Sequence, residues 1–152
     1  MFLYSKESSN ALEDLENTEK EILRCIEASS AIKRPVFVAI KLSGLYPDDK
    51  LRRLEKEFED LVSTSSFNTQ LALSHRRARQ ILSARYSDLF ERLKRLSEAA
   101  QKYDVHLVLD AELRYQEGVD TIATQAILCS LLGLKDHPVW NTHQMYFLYL
   151  RG

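Results

Sequence analysis

Two short apolar runs constrain this chain more than anything else in it. "PVFVAIKL" (35–42) and "VHLVLD" (105–110) are rich in β-branched residues, and each apolar run ends abruptly in a charge, Lys41 or Asp110. A strand that is apolar at consecutive positions is one covered on both faces, as in the parallel sheets of α/β folds. The segments around these runs carry helical periods instead. Leu12, Leu15, Ile22 and Ile26 share one face of a first helix, with Ser9 or Asn10 as its cap and Glu13 completing a capping box. Glu13, Glu16, Glu19 and Lys20 point away from that face.

Asp48 and Asp49 cap a second helix carrying Leu51, Leu54, Phe58 and Leu61. After the Ser/Thr-rich "STSSFNTQ" a long charged helical region runs from about Ser74 to Tyr103, with Leu82, Leu89, Leu93, Leu96 and Ala100 as its apolar members. Its arginines (Arg76, Arg77, Arg79, Arg85, Arg92, Arg95) are interleaved with Asp88, Glu91 and Glu98, which reads as a solvated face rather than a binding surface. Gly118 to Leu134 is an apolar helix, "HPVWNT" a short third strand, and "HQMYFLYLRG" the start of another helix. "MFLY" is read as a truncated first strand.

Strands alternating with helices in this way predict parallel βα units, about four of them. A (βα)8 barrel needs roughly 250 residues, so 152 residues make about half of one. The expected fold is therefore α/β: a partial (βα)8 TIM-like barrel in one truncated domain, 1–152, with 62–104 as a helical insertion. A doubly wound sheet would need a Gly-rich phosphate turn, and none of the four glycines is so spaced.

A formal net charge of −1 supplies no basic field for nucleic acid. Cys25 and Cys129 lie far apart in apolar-periodic stretches and read as a reduced, buried pair. The four histidines have no metal-ligand spacing. His75 is expected to be exposed, His106 a core residue, and His137 a loop residue.

In βα folds ligands gather at the carboxyl ends of the strands. Three of these ends are polar: Lys41; Asp110 with Glu112; and Asn141, Thr142 and Gln144. A cation, two carboxylates and an amide cluster would share one rim. Lys41 can anchor a substrate carboxylate, act as a Schiff-base nucleophile, or simply reach solvent. Asp110 and Glu112 can form an acid/base pair or ligate a metal, or Asp110 can cap a turn. Gln144 can hydrogen-bond a cofactor ring or be an ordinary early-helix residue.

Four segments, "ILRCIEASS", "FVAIKLSGL", "LVLDAELRY" and "PVWNTHQMYFL", resemble in order those of the proline dehydrogenase (proline oxidase) family, mitochondrial type. They match a strand-end lysine box, a "DAE…Y" box and an "NTYQ.YL" box. The resemblance implies a distorted βα barrel that binds FAD and oxidises L-proline to 1-pyrroline-5-carboxylate by hydride transfer to the flavin, with quinone as electron acceptor. It implies that Lys41 pairs with the substrate carboxylate, that Asp110 lies by flavin and substrate, and that Gln144 bonds the isoalloxazine ring. Glu112 and Tyr115 are then supporting residues.

A mitochondrial location and association with the inner membrane are further implications of the family. Gly44 stands where the family has Ala, His143 where it has Tyr, and Leu3 where many members have Asp. The family's later "KLVRGAY" segment and closing Arg pair have no counterpart, so the chain is expected to be a fragment inactive alone. Its open sheet edges would favour self-association. The alternatives are a Schiff-base βα-barrel lyase using Lys41 and a non-catalytic truncated product.

Overall fold

In the computed structural model the described residues are 4–63, 70–110, 118–133 and 136–142. Side chains before Leu12 and a few others within the helices are outside the description. The order of elements is α1 (Tyr4–Ser29), β1 (Phe37–Ile40), a single 3-10 turn (Leu42–Gly44), α2 (Asp48–Ser63), α3 (Gln70–Arg85), α4 (Ser87–Tyr103), β2 (His106–Leu109), α5 (Gly118–Leu132) and β3 (Trp140–Asn141). The three strands form one parallel sheet in the order β1-β2-β3. Parallel neighbours need crossovers, and α2–α4 and α5 supply them.

The strands are the two runs expected, joined by the short third one. They pair Phe37 with His106 through Ile40 with Leu109, and then Leu109 with Asn141. Alternation along the pleat sends Ile40, Leu107 and Leu109 into the core, all nearly inaccessible. On the helical side they meet Ile26, Leu51, Leu54, Phe58, Leu82, Leu89, Leu93, Leu96 and Leu128 in one cluster. Burying each such side chain fully stabilises the fold by about 1.5–3 kcal/mol relative to exposure.

The opposite face of the sheet is different. Phe37, Ala39 and Trp140 are exposed there, and His106 and Val108 are half-buried. The expectation of cover on both faces is met on one face only among the described residues. A closed barrel is not seen: the sheet is small and open.

Other expectations are corrected by packing. Tyr4 begins α1, so it is not strand, and Ser9 and Asn10 lie inside that helix rather than at its start. Leu12 is 57% exposed; it precedes the part of α1 that reaches the core cluster. The long region from Ser74 is two helices, broken at Tyr86 (φ −129, ψ 35). Tyr86 is buried, edge-on to Tyr46, and its hydroxyl donates to Glu57 Oε1 at 3.0 Å. The break lets both Leu82 of α3 and Leu89 of α4 be fully buried.

Glu19 does not face solvent. It is buried against α4, accepting from Arg95 Nε at 2.7 Å and Nη2 at 3.1 Å, with Arg92 Nη1 at 3.5 Å. So two of the arginines read as a solvated face in fact clamp α4 to α1. Cys25 is exposed rather than buried, because it lies off the Ile22–Ile26 line of α1; Cys129 is half-buried. His75 is half-buried and shares a hydrogen bond with Ser130 Oγ at 3.3 Å.

Candidate functional site

The ladder continues one residue past the strands. Asp110 N–H donates to Ile40 O at 2.9 Å, and Thr142 N–H donates to Leu109 O at 3.1 Å. Lys41, Asp110 and Thr142 are therefore consecutive members of one cross-strand row at the carboxyl end of the sheet. By alternation they belong with Ala39, Val108 and Trp140, on the face away from the helices.

Side-chain contacts follow that placement. Lys41 Nζ lies 4.0 Å from Asp110 Oδ2, and Thr142 Oγ1 donates to Asp110 Oδ1 at 3.3 Å. The carboxylate is thus held from both sides, by a cation on β1's end and a hydroxyl on β3's. Lys41 is 67% and Asp110 37% exposed, so the pair itself contributes only about 0–1 kcal/mol to stability. One lysine ammonium can receive an anionic group, while the acid beside it orients the lysine.

Of the residues expected on this rim, the structure brings Lys41 and Asp110 together and adds Thr142. Asn141 is separated from them. It follows Leu109 and Ile40 on the helical side, and both its amide atoms are buried without a hydrogen-bond partner. A buried amide so placed is costly; nothing in the described residues explains it. Glu112, Tyr115, His143 and Gln144 lie outside the described residues, as does Leu3. Gly44 sits close to α1, where a Cβ would stand 3.2 Å from Thr18 Cγ2.

Lower on the same face, His106 takes part in an aromatic stack that the sequence did not announce and that reaches the sheet's edge at His137. His106 lies between Phe37 and His137, each with a ring centroid 5.1 Å away, and Trp140 meets Phe37 edge-on at 6.2 Å. His137 is fixed to the Val105 carbonyl through Nε2 at 2.8 Å. The alternating pattern of β2 could have placed His106 on this face; its partners in the stack come from separate segments.

No family model matches the chain, and no curated protein or solved structure matches it either.

Proposed function

We propose that this chain is part of a flavin-dependent proline dehydrogenase, about half of a (βα)8 barrel, in which the more exposed face of the sheet, the face of Lys41 and Asp110, is the barrel interior. The observation that carries this reading is the Lys41–Asp110–Thr142 row, at the carboxyl ends of adjacent parallel strands, where barrel enzymes keep their active sites. The four-segment family resemblance supplies the reaction.

The described residues suit a flavin in one respect. Ala39 and Val108, on the same face and two residues before Lys41 and Asp110, present small apolar side chains. That leaves apolar surface beside the row against which a ring could lie. The chemistry a bound FAD would supply is that of a hydride acceptor for the proline ring carbon next to nitrogen, with quinone as the onward electron acceptor. Lys41 receives the proline carboxylate, and Asp110 orients the Lys41 ammonium. Thr142 fixes the Asp110 carboxylate, and Gln144 is the family's ring-bonding residue. Mitochondrial location, inner-membrane association and self-association through the open sheet edges belong to the same proposal.

A Schiff-base role for Lys41 gains nothing from this geometry. A lysine nucleophile is activated in an apolar pocket or beside another cation. Lys41 is two-thirds exposed, with a carboxylate as its neighbour.

Trp140 is the single tryptophan and stands half-exposed on the open face, so it reports on a ring bound there. Titration with FAD should quench its fluorescence saturably, whereas adenosine monophosphate should leave it unchanged. Linear, non-saturating quenching by FAD would remove the flavin from the proposal.

A further inference from the structure

On the helical side of the sheet, away from the Lys41 row, residues of α3, α4, α5 and β2, with His137 and Val139, line a cavity of about 200 Å³. That is well above the ~10–15 Å³ that one water needs. It is below the ~300–1,000 Å³ of pockets for drug-sized ligands. Phe90, Leu107, Leu131 and Val139 are among its apolar lining residues, with Ala100 and Leu132. Its polar lining sets two cations, Arg79 and Lys94, against one acid, Glu98, with Ser97, Gln101 and His137 beside them.

Two observations point to an anionic, partly apolar occupant. First, Arg79 is held at the wall: Nη2 donates to Leu131 O at 3.4 Å, and its guanidinium carbon lies 5.9 Å from the Phe90 ring centroid. Its other N–H groups can still serve a ligand, because a guanidinium carries five. Second, Ser97 lines the cavity with a hydroxyl that is buried and has no hydrogen-bond partner. A serine inside a helix ordinarily bonds back to the carbonyl four residues earlier; Ser97 does not. A buried donor left unmade is costly, and an acceptor in the cavity would satisfy it.

We infer that this cavity is a binding site for a short-chain monocarboxylate. The alkyl chain lies against Phe90, Leu107, Leu131 and Val139. The carboxylate accepts from Ser97 and is neutralised by Arg79 and Lys94, through charge-assisted bonds that an alcohol of the same length cannot make. The inference is independent of the proline reading, since none of these residues belongs to the Lys41 row.

The test is a titration of the ¹⁵N-labelled full chain with hexanoate, hexan-1-ol and hexylammonium, followed by amide shifts. Hexanoate should give saturable shifts centred on Ser97, Leu107 and Leu131. Hexanol should bind at least about tenfold more weakly, and hexylammonium weaker still. Ser97→Ala and Lys94→Ala should each weaken hexanoate several-fold while leaving the rest of the spectrum in place, which shows that they fold. Hexanol binding as tightly as hexanoate would reduce the cavity to an apolar hole. Unchanged hexanoate affinity in both variants, or no saturable shift at all, would also overturn the assignment; in the last case water alone serves Ser97.

Discussion

Replacing Glu19 by alanine tests the packing account most sharply, because the residue looks like a solvent-facing helix acid and is not one. Its side chain is 10% exposed and its carboxylate grips Arg95 through two bonds, with Arg92, whose side chain is 12% exposed, at 3.5 Å. Removing the acid takes from the buried Arg92 guanidinium, whose Nη1 already makes no hydrogen bond, its ion-pair partner at 3.5 Å. Breaking a buried pair from one side costs about 3–5 kcal/mol. Arg95 is half-exposed and recovers water, which places Glu19→Ala near the lower end, about 3 kcal/mol.

With a urea slope of about 1–3 kcal/mol/M, the unfolding midpoint should fall by at least about 1 M. Glu19→Gln keeps the shape and loses the charge, so it should fall between the two. A triple change, Glu19→Leu with Arg92→Met and Arg95→Leu, should recover most of the loss, because apolar packing replaces a buried ion set at little cost. A Glu19→Ala protein within about 0.5 kcal/mol of wild type, the ordinary range for surface changes, would refute the clamp.

Three other outcomes are expected. Gly133→Ala should destabilise by about 1–3 kcal/mol, read as a lower melting temperature, since its Cβ would stand 2.8 Å from Cys129 O and 3.1 Å from Val139 N. Tyr86 has its hydroxyl pushed up to about 12, first by burial and then by its hydrogen bond to Glu57. The native state therefore holds this proton where the unfolded chain, near 10, releases it. Stability should fall between about pH 10 and 12, and Tyr86→Phe should flatten that fall in parallel denaturation curves. Under native conditions a thiol reagent should label Cys25 rapidly and Cys129 only on unfolding, because Cys25 is exposed and burial raises the Cys129 thiol to about 12. Equal labelling rates would contradict that burial.

β1 and β2 were legible because their β-branched runs end in charge, and the same endings marked Lys41 and Asp110 as candidates. α2 and α5 were legible from their apolar spacing and capping acids or bounding glycine. The break at Tyr86 was not, since no Gly or Pro marks it and only tertiary burial of its ring demands it. Glu19 misled because charge on a helix reads as solvent-facing unless its arginine partners, 73 and 76 positions away, are already known to pack there. Thr142 and Asn141 could not be told apart, because a two-residue strand has no alternation from which to read its phase. Ladder pairing with β2 decides it.

The central claim is that the Lys41 row recognises a proline carboxylate beside a flavin. The direct measurement is the affinity of the FAD-loaded chain for L-proline against its methyl ester, in wild type and Lys41→Met, by ligand-detected NMR. The account predicts that wild type prefers proline over the ester by about tenfold or more, as a charge-assisted bond allows, and that Lys41→Met abolishes the preference. Equal binding of proline and ester by wild type, or a preference that survives Lys41→Met, would contradict it.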